Sequence, residues 1–345
     1  MTPPKNILIV RTDRIGDVVL SLPLASIIKK HFPETRITFL LREYTRALAE
    51  NNPFIDEIMT AKVDNGKLKV GENIQQLKDK YDACIVAYPT YPIALTLFLA
   101  NIKTRIGTGY RWYSFFFNKK IYDHRKYGER HELEYNVRLL KHLGIEENIN
   151  EEIVSFNLQP DENNRQLVSG ELKRIGIIKN KRIIIIHPGS GGSAVDLPFD
   201  KVKLLIELMA RELDCEILIT GSAGEKELCA SLVVNEKTKN VAGRFELGEL
   251  IALIEKSDLL IANSTGPIHI AAALGKYVIG FYPKIAACSP KRWGPYTNKK
   301  IIFTPAIECN NCTRKQCEKL NCMDTIDINK VFDSTKRILE QKTAE

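Results

Sequence analysis

The chain has 345 residues, 44% of them hydrophobic and 27% charged, and its formal net charge is +8. This length suffices for two domains with complete cores, and the composition is ordinary for a globular protein, which excludes a disordered or fibrous chain. No window approaches the ~18 consecutive apolar residues of a membrane-spanning helix. The first residues, MTPPKNILIV, lack the apolar core and cleavage site of a signal peptide. We therefore expect a cytoplasmic protein.

The first part of the chain alternates apolar runs with helical periods. Apolar runs typical of strands covered on both faces occur at residues 6–11, 36–41, 55–59 and 82–87. Helices are predicted from about Val18 to His31 and over 131–143. Residues 108–130 are aromatic and basic without a clear period, so we expect a loop or a short helix there.

A polar, charge-rich segment at 146–180 is the predicted connection between two domains. The alternating pattern then restarts, with apolar runs at 182–186, 216–220, 259–262 and 277–282. An amphipathic helix is predicted over 327–341. This alternation indicates two α/β domains with parallel sheets, and ligands of such sheets bind at the carboxyl ends of the strands.

The first candidate site is the corner at 258–275, DLLIANSTGPIHIAAALG, which is predicted to be a strand, a polar turn and a helix opened by Pro267. Free N–H groups and the helix dipole make such a helix start suitable for an anion. We place a phosphate at Thr265 and Gly266, and His269 lies one turn further on. An ordinary strand–turn–helix corner with a packed histidine is the alternative.

A second corner, VRTDRIGDVVLSLP, lies near the N-terminus. Asp13 and Asp17 are both candidates for a general base there. Asp17 directly follows Gly16, where a reacting group can approach the backbone. The alternative is that the carboxylate only caps a helix.

Two further turns follow predicted strands in the second half. The turn HPGSGGS carries Gly189, Gly191 and Gly192, whose N–H groups can face an anion, and His187 is either a ligand contact or a buried core imidazole. The turn TGSAGE carries Gly221 and Glu225. A carboxylate at this position can hold ribose hydroxyls, although it can equally be a helix cap.

Positive charge is concentrated in two segments. Residues 101–141 carry ten Lys/Arg and four Asp/Glu, and residues 287–320 carry seven and two. Such patches fit an anionic lipid, a phosphorylated glycan or a nucleic acid, and solvated faces are the alternative. Four cysteines lie in or just after the second segment: Cys309, Cys312, Cys317 and Cys322. Four thiols suffice for a zinc site, but the spacing is not that of a standard module, and packing of reduced cysteines is the alternative.

The signatures of dinucleotide-binding, P-loop, α/β-hydrolase and zincin enzymes are absent from the sequence. A different series of motifs occurs in order: ILIVRTDRIGDVVLSLP, HFPETRITFLLRE, NPFIDEI, RIGTGY, HELEYNVRLLKHLGI, HPGSGGSA, ITGSAGEKE, VAGR, LIANSTGPIHIAAALG and RWGPY. Together they resemble glycosyltransferase family 9, the lipopolysaccharide heptosyltransferases. The resemblance covers nearly the whole chain.

The resemblance implies an α/β GT-B fold with two Rossmann-like domains facing a cleft. Residues 1–165 would form the acceptor-side domain and 175–325 the donor-binding domain, with a tail helix at 326–345 crossing back to the first domain. It also implies inverting transfer of a heptose from ADP-heptose to a lipopolysaccharide core or related lipid-linked glycan, with no metal and no cofactor. The protein would contact the inner leaflet transiently and bind no nucleic acid.

By this resemblance Asp17 becomes the favoured base. The implied donor-binding residues are Ser190, Gly191, Gly192, Ser193, Thr220, Gly221, Glu225, Ser264, Thr265, Gly266 and His269. The implied acceptor-binding residues are Arg11, Asp13, Arg14, Gly16, Arg111 and Trp112. Within the basic and aromatic segment, Trp112 and the neighbouring phenylalanines would face lipid or sugar.

Two departures from the family pattern concern the donor. Val195, Asp196 and Leu197 occupy the segment where family members often have a phosphate-binding lysine, so Lys291, Arg292 or His269 would have to replace it. Ser264 stands where an aspartate is frequent. The alternatives are therefore another nucleotide-sugar donor on the same fold, or a non-catalytic nucleotide- or glycan-binding protein; a nucleic-acid-binding protein is the electrostatic alternative.

Overall fold

The computed structural model describes residues 3–177, 181–308 and 313–341. The chain divides into two compact units, which meet in sequence between Gln159 and Pro160. This point lies inside the predicted connection, and the α/β class of both units is confirmed.

The first unit contains eight strands and five α-helices among its described residues. The strands are β1 (Asn6–Val10), β2 (Arg36–Leu41), β3 (Glu57–Thr60), β4 (Val63–Asp64), β5 (Lys67–Leu68), β6 (Ala83–Val86), β7 (Thr104–Thr108) and β8 (Lys119–Ile121). The helices are α1 (Ile15–Val19), α2 (Pro23–His31), α3 (Val70–Leu77), α4 (Tyr91–Leu99) and α5 (Glu132–Arg138).

Six of these strands form a parallel sheet in the order β3-β2-β1-β6-β7-β8. Strands β4 and β5 form a separate antiparallel hairpin. The chain runs outward from β1 in one direction and from β6 in the other, so the order reverses between these two strands. Ligands of open parallel sheets bind outside the carboxyl ends at this reversal.

The second unit contains six strands and eight α-helices among its described residues. The strands are β9 (Arg182–His187), β10 (Cys215–Ile219), β11 (Thr238–Asn240), β12 (Leu259–Asn263), β13 (Tyr277–Phe281) and β14 (Lys300–Phe303). The helices are α6 (Glu162–Arg174), α7 (Phe199–Glu212), α8 (Lys226–Ala230), α9 (Leu247–Lys256), α10 (Gly266–Ala273), α11 (Pro290–Trp293), α12 (Arg314–Lys319) and α13 (Ile328–Gln341).

The second sheet repeats the strand order of the first. It is parallel throughout, in the order β11-β10-β9-β12-β13-β14, and the reversal falls between β9 and β12. Strands β10 and β12 are wholly buried, as their apolar sequences predict. Each unit therefore presents one crevice position, after β1 and β6 or after β9 and β12.

Local structure differs from the sequence-based expectation at several points. The helix predicted over 18–31 is divided into α1 and α2, since Pro23 begins a new helix. The segment 108–130 contains the edge strand β8 and two short 3-10 turns in place of a loop or single helix. Helix α6 belongs to the second unit, although the predicted first domain extends to residue 165.

The tail helix α13 also lies in the second unit. Its apolar side chains Ile328, Val331 and Ile338 belong to the same core as α7 and the central strands of the second sheet. The apolar stripe of this helix is therefore buried in the second unit's core, and its expected crossing to the first domain stays a prediction. No helix of the described ranges is both long and apolar enough to cross a membrane.

Candidate active site

The turn that follows β1 brings Asp13 and Asp17 to the carboxyl end of the first sheet. Helix α1 begins directly after it, and its N-cap is Arg14, with no side-chain capping bond. Asp17 lies in the first turn of α1, and its carboxylate pairs with the Arg11 guanidinium. Asp17 is therefore held for an ion pair and does not act as the N-cap of this helix.

Arg11 lies at the centre of this group of side chains in the first unit. It is 1% exposed, and Nε lies 2.8 Å from Asp13 Oδ1. Nη2 pairs with Asp17 and lies 3.6 Å from Glu132 Oε1. Burial opposes the charge, but the neighbouring carboxylates more than offset it and raise the pKa of Arg11 above its ordinary value. One buried cation thus orients three carboxylates at once.

The surroundings of Asp13 shift the pKa of its carboxyl group. Burial, partly offset by Arg11 and reinforced by the charge of Asp17, raises the pKa of Asp13 from 3.8 to about 7. The side chain of Asp13 is 10% exposed and that of Asp17 is 16% exposed. Burial beside a second carboxylate thus lets Asp13 retain its proton into the neutral pH range.

Sequence reasoning missed the part of this cluster that comes from α5. Glu132 and Asn136 are one turn apart on this helix, and Arg11 Nη1 donates to Asn136 Oδ1 at 3.3 Å. Asn136 Nδ2 donates to the carbonyl of Leu20 at 3.0 Å, and Arg125 pairs with Glu132. The i, i+4 spacing of Glu132 and Asn136 within HELEYN was the available signal.

The other predicted acceptor residues are distributed differently. Gly16 is buried inside α1, and Arg14 is exposed beside it. Arg111 is exposed, and Trp112 is 72% exposed and stacks on Tyr91 at 4.9 Å between ring centroids. Among the described residues, neither Arg111 nor Trp112 forms a hydrogen bond or an ion pair with Arg11.

In the second unit, the glycine turn follows β9. Gly191 and Gly192 adopt left-handed φ angles of +55° and +76°, which glycine tolerates best. Ser190 is buried, and its N–H donates to Asp196 Oδ2 at 3.3 Å. Val195, at the departure from the family pattern, is buried in the second unit's core.

Arg314 is a cation at this turn that sequence reasoning did not identify. Its Nη1 donates to the carbonyl of Gly192 at 2.6 Å, and its Nε pairs with Glu318 at 2.7 Å. It also interacts electrostatically with Asp196. Arg314 is far from the turn in sequence, so no local pattern predicts the contact.

Glu225 lies next to the same turn. Its Oε2 accepts two hydrogen bonds, one from the N–H of Ser222 at 2.8 Å and one from the hydroxyl of Ser222 at 2.7 Å. Burial raises the pKa of Glu225, but these bonds reverse the shift and leave the pKa below its ordinary value. Oε1 faces Gly189 so closely that a Cβ there would lie 2.0 Å from it. Glu225 is thus both a cap and a carboxylate that faces the glycine turn.

His187 and Thr220 connect the ends of β9 and β10 beside Glu225. His187 Nδ1 lies 3.0 Å from Thr220 Oγ1, and the threonine hydroxyl donates to the carbonyl of Ile186. Burial lowers the pKa of His187 to about 4, so the imidazole is neutral at neutral pH. At Gly221, the next residue, a Cβ would lie 3.1 Å from Cys229 Sγ and 3.3 Å from Glu225 Cβ, so a side chain there would be crowded.

The corner after β12 provides the helix start predicted from the sequence. Helix α10 begins at Gly266 with Thr265 as N-cap, and the Thr265 hydroxyl makes no capping bond. Asn263 accepts from the N–H of Leu197 at 2.9 Å and donates to the carbonyl of Pro188. Asn263 therefore ties this corner to the glycine turn after β9. Ser264 and His269 are buried beside it.

The structure describes two of the four cysteines proposed as a zinc site. Cys309 and Cys312 lie outside the described residues. Cys317 and Cys322 are buried in the second unit's core. Within the ranges that the structure describes, no cluster of three or more His, Cys, Asp or Glu side chains is arranged to hold a metal ion.

The chain is similar to known glycosyltransferases along most of its length. A Haemophilus influenzae protein provisionally named as a glycosyltransferase is 29% identical over 312 residues, covering 87% of this chain and 89% of that protein. Lipopolysaccharide heptosyltransferase 1 of Campylobacter coli is 25% identical over 351 residues, covering 96% and 98%. The crystal structure of a family 9 glycosyltransferase from Veillonella parvula matches with a TM-score of 0.81 and 20% identity, covering 98% and 97%. The last comparison shows the shared fold, GT-B.

The family model of glycosyltransferase family 9 (heptosyltransferase) matches residues 70–323. This range includes the glycine turn, Glu225 and the α10 corner. The motif series that indicated the family from the sequence is thereby confirmed. The chain belongs to glycosyltransferase family 9 and is a glycosyltransferase.

Proposed function

We propose that this enzyme transfers a heptose from ADP-heptose to a lipopolysaccharide core or related lipid-linked glycan, with inversion and without a metal. The observation that carries the proposal is the position of Asp17. It lies in the crevice position of the first sheet, in the first turn of α1, and is oriented by a buried arginine. The lipopolysaccharide heptosyltransferases among the relatives support the choice of substrates.

Asp17 acts as the general base in this proposal. Its carboxylate takes the proton of an acceptor hydroxyl while the hydroxyl oxygen forms a bond to the anomeric carbon. The bond from that carbon to the diphosphate oxygen breaks in the same displacement, so ADP leaves and the configuration inverts. Arg11 forms ion pairs with three carboxylates. It therefore orients Asp17 without neutralising that carboxylate alone.

The second unit provides the groups for the leaving nucleotide. Glu225 would accept hydrogen bonds from the ribose hydroxyls through Oε1. The N–H groups of Gly191 and Gly192 and the start of α10 at Thr265 and Gly266 would stabilise the diphosphate as its charge develops, with Ser190 and Ser193 on either side of these glycines. Arg314 is a candidate cation for the diphosphate where the usual lysine is absent, since it reaches the glycine turn.

Calorimetric titration with ADP, UDP, GDP and CMP, without metal, tests the donor. Selective binding of ADP supports ADP-heptose, whereas preference for another nucleotide retains the fold and changes the donor, as Val195 and Ser264 would allow. Binding of none of the four favours the non-catalytic alternative.

The Asp17→Asn variant tests the chemistry. We expect turnover to fall by roughly 10²- to 10⁴-fold, because the amide cannot take the proton, with ADP binding retained. Asp64→Asn, an exposed change on β4, is the control. Unchanged turnover in Asp17→Asn would exclude Asp17 as the base.

A further inference from the structure

Glu132, on α5, lies between two arginines of the first unit. Its side chain is 3% exposed, and its Oε1 pairs with Arg125 Nη1 and lies 3.6 Å from Arg11 Nη2. Asn136, one turn further along the helix, is shared in the same way. Its Oδ1 accepts from Arg125 Nη1 at 3.1 Å and from Arg11 Nη1 at 3.3 Å. The two guanidinium groups therefore compete for the same two acceptors.

The competition for Glu132 is unequal. Its Oε1 lies closer to Arg125 Nη1 than to Arg11 Nη2, and 3.6 Å is too long for a hydrogen bond. Nη2 of Arg11 donates to Asp17 Oδ1 instead. A buried carboxylate is strongly destabilising when it is left without a cation or donors beside it. Because Arg125 supplies a cation to Glu132, Arg11 can remain bonded to Asp17.

Arg125 is held in place by more than this ion pair. Its Nη2 donates to the carbonyl of Tyr135 at 3.4 Å, and its guanidinium lies 5.5 Å from the centroid of the Tyr135 ring. It begins the 3-10 turn Arg125–Tyr127, and the preceding residue, His124, stacks on Tyr110 at 3.7 Å between ring centroids. Arg125 is thus an oriented, half-buried cation, in contrast to a solvated surface charge.

We propose that Arg125 and Glu132 are positioning residues for the base Asp17. By holding Glu132, Arg125 leaves the Nη2 group of Arg11 to the base. The inference deepens the proposed function and rests on its assignment of Asp17 as the base. Without Arg125, Glu132 would draw Arg11 toward itself, since Arg11 Nη2 already lies 3.6 Å away. Asp17 would then lose its hydrogen bond from Arg11, and its carboxyl group would keep its proton to higher pH.

Carbon-13 titration of the aspartate carboxyl groups in the free, full-length protein tests the proposal without a substrate. The Asp17 signal is assigned by its loss in Asp17→Asn. We expect its titration midpoint to rise by about one pH unit in Arg125→Gln. It should return to the wild-type value in Arg125→Gln/Glu132→Gln, where no carboxylate on α5 draws Arg11 away. Arg138→Gln, which removes a cation that α5 pairs with Asp123, should leave the midpoint unchanged.

Glu132→Gln keeps the test independent of the folding of Arg125→Gln. The Asp17 midpoint should fall in this variant, because Arg11 then pairs with two carboxylates in place of three.

The other groups that face Asp17 are the same in all these variants. Besides Arg11 and Asp13, they are Tyr44, which interacts electrostatically with Asp17, and the two arginines beside Tyr44, Arg14 and Arg42. Loss of the Arg125 charge could act on Asp17 directly, and salt screens such an effect. We therefore expect the rise in Arg125→Gln to persist in about 0.5 M sodium chloride, since the exchange of a hydrogen bond is not screened.

A midpoint that stays at the wild-type value in Arg125→Gln and Glu132→Gln, or a rise that disappears in salt, would overturn the proposal. In turnover of ADP-heptose with a deacylated lipopolysaccharide core, kcat of Arg125→Gln should fall about tenfold with KM for the donor unchanged, and should recover in the double variant. Asp17→Asn separates the two proposals. Lost turnover in Asp17→Asn without a shifted midpoint in Arg125→Gln rejects only the positioning role, whereas full turnover in Asp17→Asn rejects the base itself, whatever the titration shows.

Discussion

Replacing Asp13 with asparagine should change how the stability of the first unit depends on pH. The folded pKa of Asp13, about 7, lies above its ordinary value of 3.8. The folded state therefore holds the proton more tightly than the unfolded state, and stability is lost as pH rises from about 4 to 7. Applying the linkage relation to these two values, wild type loses roughly 2.5 kcal/mol through this group between pH 5 and pH 8. The asparagine variant has no such loss.

Urea unfolding at pH 5 and pH 8 measures this difference. A Trp293→Phe background leaves Trp112, stacked on Tyr91, as the reporter for the first unit. The control is Asp56→Asn, because hydrogen bonds from Lys29 and the N–H of Ile37 outweigh burial and hold the pKa of Asp56 below its ordinary value. Its effect should be equal at the two pH values. An Asp13→Asn effect that is also equal at pH 5 and pH 8 would refute the reasoning.

Three further predictions concern the second unit. Gly189→Ala should weaken ADP binding about tenfold in calorimetry, because the new Cβ displaces Glu225 Oε1. The control is Gly71→Ala, whose Cβ meets no atom within 4 Å. Arg314→Ala should weaken ADP binding about tenfold and leave adenosine binding unchanged, whereas the exposed neighbour change Lys315→Ala should alter neither. Asn263→Asp should destabilise the second unit by about 1–3 kcal/mol at pH 8, because a carboxylate would face the carbonyl of Pro188. Thermal unfolding should show that part of this stability returns near pH 4, where a protonated carboxyl group can donate to the carbonyl.

Local patterns predicted the parts of the molecule that depend on local chemistry. The apolar runs of β1, β9 and β12 identified the central strands, and Pro267 with its polar turn identified the start of α10. Strand β8 was missed because Lys119 and Lys120 make it a charged edge strand without an alternating pattern.

In the candidate site too, local patterns identified some residues, whereas contacts made by tertiary folding were missed. Asp17 and Glu225 follow turns next to predicted strands, so sequence reasoning found them. Glu132 reaches Arg11 from α5, and Arg314 reaches Gly192 from α12, and both contacts depend on tertiary folding. The donors of Arg11, an implied acceptor-binding residue, go to Asp13, Asp17 and Asn136 in the structure, and its role toward the acceptor stays a prediction.

The repeated strand order has a consequence for protein engineering. Each unit contains a complete six-stranded sheet of its own, and the chain passes from one to the other between Gln159 and Pro160, before α6 begins. A chimera joined there with a family 9 relative would inherit one intact sheet from each parent. Under the proposed assignment of acceptor binding to the first unit and donor binding to the second, such hybrids would separate the determinants of donor choice from those of acceptor choice.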